Sequence, residues 1–116
     1  MSEIWDLVDK DKNKIGTTYE RNCGTPIPKG MYHLAVEIWT IKPNGGILLT
    51  QRHQNKNYGL MWEATGGAVL SGESSIQGAV RELYEETGIT VEMVRKYMDD
   101  ETANHMQEYC EEHGLT

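Results

Sequence analysis

Only two cysteines occur in this 116-residue chain, and it has no internal repeat, no low-complexity tract and no surplus of positive charge. Each shortage removes a class of protein. Cys23 and Cys110 lie far apart and form no CxxC pair, so they cannot make a disulfide framework and are read as free thiols. The longest apolar stretches, around Leu34 to Ile41 and Ile47 to Leu49, fall far short of the roughly 20 residues that span a bilayer. The opening MSEIWDLVDKDKNK mixes acids and Trp where a secretory leader needs a basic and then an apolar stretch, so a cytoplasmic location is expected. Eighteen acidic against eleven basic residues give a formal charge of −7, which argues against binding to a nucleic acid polymer or an anionic membrane surface. A small anionic ligand escorted by a metal remains compatible with that charge.

What is present fits one soluble globular domain. Hydrophobic residues make up 38% and charged ones 25%, in a chain of single-domain length. The charge is uneven. Residues 1–89 carry nine basic and eleven acidic side chains, whereas residues 90–116 carry two and seven. This predicts a near-neutral body over 1–89 and an acidic tail over 90–116.

The body opens with an expected strand at Ile4–Val8, a turn over Asp9 to Lys14 and a second extended piece near Ile15 to Tyr19. Two prolines and two glycines make Cys23 to Gly30 a loop. His33 to Ile41 and Ile47 to Arg52, separated by Pro43-Asn-Gly-Gly46, read as a hairpin, and Met61 to Thr65 as a short strand. From Ser74 the period changes: Ile76, Ala79, Val80, Leu83 and Thr87 follow helical spacing. Ser74 with Gln77 matches a capping box, and Gly88 is a natural stop, so the spacing predicts a helix over 75–87.

That helix carries Arg81, Glu82, Glu85 and Glu86. The three glutamates are related by three and four positions and therefore share one face, roughly opposite the apolar stripe. Crowded carboxylates repel one another unless a divalent cation binds them, and hard oxygen ligands suit Mg²⁺ or Mn²⁺. A solvated helix face is the plain alternative, and spacing alone does not decide.

The preceding loop decides. From Gly67 the chain reads G-AVLSG-E-SSIQGAV-REL-Y-EE-T-GI, ending at Ile89. This resembles the signature of the Nudix hydrolases, G-x5-E-x7-R-E-U-x-E-E-x-G-U with U aliphatic, and every position is filled. Average residue usage would produce it roughly once in a billion starts. Gln51-Arg52, Gly59-Leu-Met-Trp62 and Gly66-Gly67 look like the run before such a box. Ile4-Trp-Asp-Leu-Val-Asp9 and Tyr32-His33-Leu34 look like the subgroup related to isopentenyl-diphosphate isomerases. The resemblance covers about residues 3–89.

It implies an α+β fold, an α/β/α sandwich around a Nudix-like mixed sheet with the box as loop and helix. It also implies metal-dependent hydrolysis of a diphosphate linked to another moiety. Glu82, Glu85 and Glu86 would be metal ligands, one of them also taking the proton of the attacking water, with the carbonyl of Gly66 joining the shell. Arg81 and Glu73 would act as a supporting pair, with a purely structural salt bridge as the equal alternative. Gly66 and Gly67 would permit unusual backbone conformations and close approach of a phosphate. Arg52 could meet a substrate phosphate, or be a solvated strand-end arginine. Trp62 and Tyr58 could stack on a base, though aromatics beside a sheet are more often core. His33 reads as structural, and His105, Cys110 and His113 as members of a polar helix, their spacing being poor for a metal cluster.

The tail departs from the pattern. The family continues after the box with further strands, whereas Thr90 to Met98, with Val91, Val94, Tyr97 and Met98, has helical spacing, and Asp99 or Asp100 caps a second helix reaching His113. Such a tail calls for a compact rearrangement or a partner chain, and a homodimer through Val94, Met98, Met106 and Tyr109 is one expectation. Three functions follow: a Mg²⁺-dependent pyrophosphohydrolase acting on a small diphosphate, an inactive Nudix-like binding module, and, more remotely, a prenyl-diphosphate isomerase. The last is opposed by the complete hydrolase box and by the lack of cysteine between residues 61 and 67.

Overall fold

A computed structural model gives the structure of the chain over residues 2–115; Met1, Thr116 and the side chain of Tyr97 lie outside the described residues. Among the described residues, seven strands precede three helices: β1 (Ile4–Val8), β2 (Lys14–Glu20), β3 (Tyr32–His33), β4 (Ala35–Ile38), β5 (Thr50–Gln51), β6 (Trp62–Glu63), β7 (Thr65–Ala68), α1 (Ser75–Thr87), α2 (Val91–Val94) and α3 (Asp100–Glu112), with a 3₁₀ turn at Arg95–Tyr97 between the last two. The fold is α+β.

The first hairpin forms as its sequence dictates. β1 pairs antiparallel with β2, and the Asp9 carboxylate accepts the backbone N–H groups of Asp11 (2.8 Å) and Asn13 (3.0 Å), fixing the turn. The expected strand 33–41 is instead divided. Its beginning, β3, pairs with β1, while β4 pairs with β7, and past Ile38 only the Ile41–Ile47 bridge closes the hairpin over Pro43 to Gly46. One apolar stretch thus serves two sheets, because its partners are remote in sequence.

The expected mixed sheet needs correcting. The described pairings define three small sheets, β2-β1-β3, β4-β7 and β5-β6, and all are antiparallel. A parallel pair requires a crossover of a dozen or more residues returning to a strand. Here α1 leads into α2, not into another strand.

α1 begins and ends where its caps require. The Ser74 hydroxyl accepts from the Gln77 N–H, the Gln77 side chain answers on the Ser74 N–H, and Gly88 closes the helix in the left-handed region at φ 75°. Beyond it, Thr90 caps α2 and Asp99 caps α3. The helical tail is therefore observed, although its first piece is shorter than the spacing suggests, with Arg95–Tyr97 tightening into a 3₁₀ turn.

α3 lies on α1 and α2. Val91, Met106 and Cys110 form a buried cluster against which Val80, Met98 and Leu115 pack. Of the four residues expected at a dimer interface, Met106 and Tyr109 are buried inside the chain, whereas Val94 and Met98 are half-buried. The Cys110 thiol is free and buried in this core; Cys23 is free and exposed.

The N-terminal sheet grips the box loop. Asp6 accepts from the Ser71 hydroxyl (2.7 Å) and the Gly72 N–H (2.8 Å), Lys14 lies 3.1 Å away, and the Ser71 N–H donates to the Ile4 carbonyl (2.8 Å). The Gly72 N–H foremost, then the Ser71 hydroxyl and Lys14, hold the Asp6 carboxyl down to about 2. A lowered carboxyl pKa stabilises the fold above its ordinary value, and that gain is lost as pH falls toward about 2. Asp6→Asn is expected to cost about 1 kcal/mol at neutral pH. In thermal melts monitored by circular dichroism, the difference from the parent should close as the pH approaches 2.

Candidate active site

Gly66 and Gly67 stand in the middle of β7, opposite Glu37 and Val36 of β4. Neither adopts the left-handed backbone that the sequence suggested; both are needed for space. A Cβ on Gly66 would meet the Val36 carbonyl oxygen at 2.4 Å, and one on Gly67 would meet the Glu82 carboxylate at 2.4 to 2.6 Å. The missing side chain of Gly67 is the seat of Glu82.

Arg81 organises the surroundings from below. Its Nε donates to Glu73 Oε2 (2.8 Å), and Nη2 to Glu73 Oε1 (3.0 Å) and the Ala68 carbonyl (2.9 Å). Nη1 donates to Glu82 Oε1 (2.8 Å) and Glu85 Oε2 (3.1 Å). All five guanidinium N–H groups are thereby used. Arg81, Glu73 and Glu82 are buried, so the pair is bidentate and shielded from solvent. Burial by itself would raise the Glu73 pKa, but bonds from Arg81, Tyr109 and the Leu70 N–H outweigh it and hold the carboxyl below its ordinary value.

Above this network opens a cleft of about 820 Å³, lined by β4, β7, α1 and the loop after β5. It brings together Arg52, Gly66, Gly67, Glu82, Glu85 and Glu86, six of the eight residues singled out in the sequence. Arg81 and Glu73 stand behind them as support. Arg52 follows β5 directly; its Nη1 pairs with Glu63 (2.9 Å) and its Nε donates to the Asn57 carbonyl (2.8 Å).

The three glutamates do not behave alike. Glu82 and Glu86 lie close enough for the charge of one to bear on the other. Glu85 is turned to Arg81 and half-exposed. Among the described residues no three His, Cys, Asp or Glu side chains converge as a ready metal cage. A close carboxylate pair beside an open cleft suits Mg²⁺ or Mn²⁺, which takes one or two protein carboxylates and completes its shell with water and phosphate oxygens. The donor set therefore fits such an ion through Glu82 and Glu86.

The cleft also gathers acids that the motif does not contain: Glu37, across the ladder from Gly66, and Glu63. Neither was singled out in the sequence; the charge at Glu37 between apolar Val36 and Ile38 is a signal that could have found the first. Trp62 and Tyr58, expected in the core, are 64% and 79% exposed. His33 is stacked on Trp5 with ring centroids 4.0 Å apart, and among the described residues His105, Cys110 and His113 belong to no group that could hold a metal.

Partial burial first, then the charges of Glu82 and Glu63, push the Glu86 carboxyl up, and the Gly66 N–H only partly offsets this. For an acid whose folded pKa is raised, ionisation costs stability at higher pH, and the cost is relieved as pH falls through the raised value. Glu86→Gln is therefore expected to melt higher than the parent at neutral pH without divalent metal, with the gap closing in acid; an unchanged melt would contradict the crowding. Gly67→Ala is expected to push Glu82 off its seat and away from Arg81, and so to lower the melting point and weaken Mn²⁺ binding about 10-fold. Titration of Mn²⁺ by water proton relaxation measures it.

Comparison with known proteins identifies the family. The family model for the NUDIX domain matches residues 31–114, so the helical tail falls inside the matched region, beyond the Ile89 limit of the resemblance read from the sequence, while the first thirty residues fall outside it. The chain is 32% identical to an uncharacterized Nudix hydrolase of Listeria monocytogenes over 96 residues, 78% of this chain and 54% of that protein. It is 34% identical to an isopentenyl-diphosphate Delta-isomerase of Serratia proteamaculans over 95 residues, 80% of this chain and 51% of that one. A shorter match, 47% over 49 residues, covers 42% of this chain and 36% of the CTP pyrophosphohydrolase of Escherichia coli. The chain spans about half the length of the first two relatives. With a complete box whose loop, helix and glutamates assemble around one cleft, and a family model that matches most of its length, the chain belongs to the Nudix family.

Proposed function

We propose that this chain is a divalent-metal-dependent pyrophosphohydrolase that cleaves a small molecule containing a diphosphate linked to another group. The observation that carries the reading is the carboxylate pair of Glu82 and Glu86 on the wall of the cleft, anchored through Arg81. A bound Mg²⁺ or Mn²⁺ supplies charge neutralisation on the diphosphate and a water of lowered pKa.

The residues of the chain do the rest. Glu82 and Glu86 would hold the ion, and Arg81 restrains Glu82 against Gly67 so that the site is formed before substrate arrives. Glu85, half-exposed beside Arg81, is available to the ion through water or to the attacking water's proton. Arg52 and Lys56 line the same cleft and offer positive charge to the outer phosphate oxygens. The relative named for CTP pyrophosphohydrolysis supports the reaction class.

The isomerase-like relative favours a second reading, chemistry on a prenyl diphosphate. Neither cysteine of this chain lines the cleft, since Cys23 is exposed elsewhere and Cys110 is in the core, which supports hydrolysis over isomerisation. One assay separates the readings: a panel of nucleoside and prenyl diphosphates with Mg²⁺ or Mn²⁺, scored for both phosphate-bond cleavage and double-bond migration. Metal-dependent cleavage, reduced about 100-fold or more in Glu86→Gln, is expected. Isomerised product, or equal turnover by the mutant, would overturn hydrolysis by these residues, and no turnover at all would leave an inactive module as the better account.

A further inference from the structure

We infer that Tyr109, from the tail helix α3, is a positioning residue for the glutamates of the cleft, an inference that rests on the metal-dependent reading above. Its hydroxyl donates to Oε2 of Glu73, 36 positions away in sequence. That oxygen also accepts Arg81 Nε, while Oε1 accepts Arg81 Nη2 and the Leu70 N–H (2.8 Å). Glu73 is buried with two donors on each oxygen, which fixes its carboxylate plane and, through the planar fork, the plane of Arg81. Arg81 Nη1 in turn holds Glu82 and Glu85.

The tyrosine is itself held on its other side. The His113 ring stacks on it with centroids 4.2 Å apart, and Met106 and Cys110 on the same helix are buried against Val91. The route from the tail to the cleft is thus Tyr109 to Glu73 to Arg81 to Glu82, each step a hydrogen bond among buried groups. Without the hydroxyl, Glu73 keeps three of its four donors but loses its restraint toward α3, so its carboxylate tilts and the Arg81 fork tilts with it. Glu82 then leaves its seat on Gly67.

The test compares the full chain with Tyr109→Phe, which removes one oxygen, and with Cys110→Ala, which loosens the same helix without touching the network. Mn²⁺ affinity is read by water proton relaxation, with no need of turnover, and folding by circular dichroism. Tyr109→Phe is expected to bind Mn²⁺ about 10-fold more weakly, as for other groups that orient a ligand, and Cys110→Ala to bind as the parent does although it melts lower. Equal weakening in both variants, or none in Tyr109→Phe, overturns the inference and leaves the metal-dependent reading standing. A parent that binds no Mn²⁺ overturns both. If Tyr109→Phe fails to fold while Cys110→Ala folds, the tyrosine is a structural residue and the inference falls.

Discussion

A buried guanidinium has to be answered on every N–H, because an unpaired buried charge costs several kcal/mol and removing one partner of a buried pair typically costs about 3–5 kcal/mol. In this chain the requirement falls on Arg81, and the way it is met organises the molecule. Its five bonds reach the box loop at Glu73, strand β7 at Ala68 and its own helix at Glu82 and Glu85. Glu73 passes the restraint on to the tail through Tyr109. Loop, strand, helix and tail are thus tied to one cation. The acidic cleft is the solvent-facing side of that arrangement.

The same helix separates two environments. Along α1, Glu82, Glu85 and Glu86 face the cleft, while Ile76, Ala79, Val80 and Leu83 border a second, apolar hollow with Ile38, Val91 and Met98. Strand β4 repeats the division, with Glu37 on the cleft and Ile38 on the hollow, as the two-residue period of a strand requires. Repulsion among the glutamates is kept on one side of this partition, where a cation can reach it. Half of the tail's work is visible on the other side, where α2 and α3 cover part of the apolar face of α1.

Local features were legible in the sequence because their causes are local. The turn at Asp9, the capping box at Ser74, the stop at Gly88 and the caps at Thr90 and Asp99 each depend on hydrogen bonds spanning four residues or fewer. The strand read over residues 33–41 was less legible: composition marks it as extended but carries no information on partners, and the partners turn out to lie in two different sheets. Gly66 and Gly67 show the same limit. Their presence was visible, but the reason for them lies in the Val36 carbonyl and the Glu82 carboxylate, neither adjacent in sequence. Trp62 and Tyr58 look like core residues by type, yet β6 belongs to a two-stranded sheet that leaves Trp62 open, and Tyr58 sits in the preceding loop.

By itself, the sequence determined the family signature, the boundaries of α1 and the placing of Glu82, Glu85 and Glu86 on one face, since a period of 3.6 residues leaves no other outcome. It also determined that the tail is helical. Only the tertiary structure decided that Glu82 and Glu86 share the cleft wall while Glu85 turns to Arg81, that Glu37, Glu63 and Arg52 join them, and that Tyr109 completes the support. The physical reason is reach. A helix fixes the direction of a side chain from its own backbone, but its partner is chosen by whichever remote strand, loop or helix the packing of the chain brings within hydrogen-bonding distance.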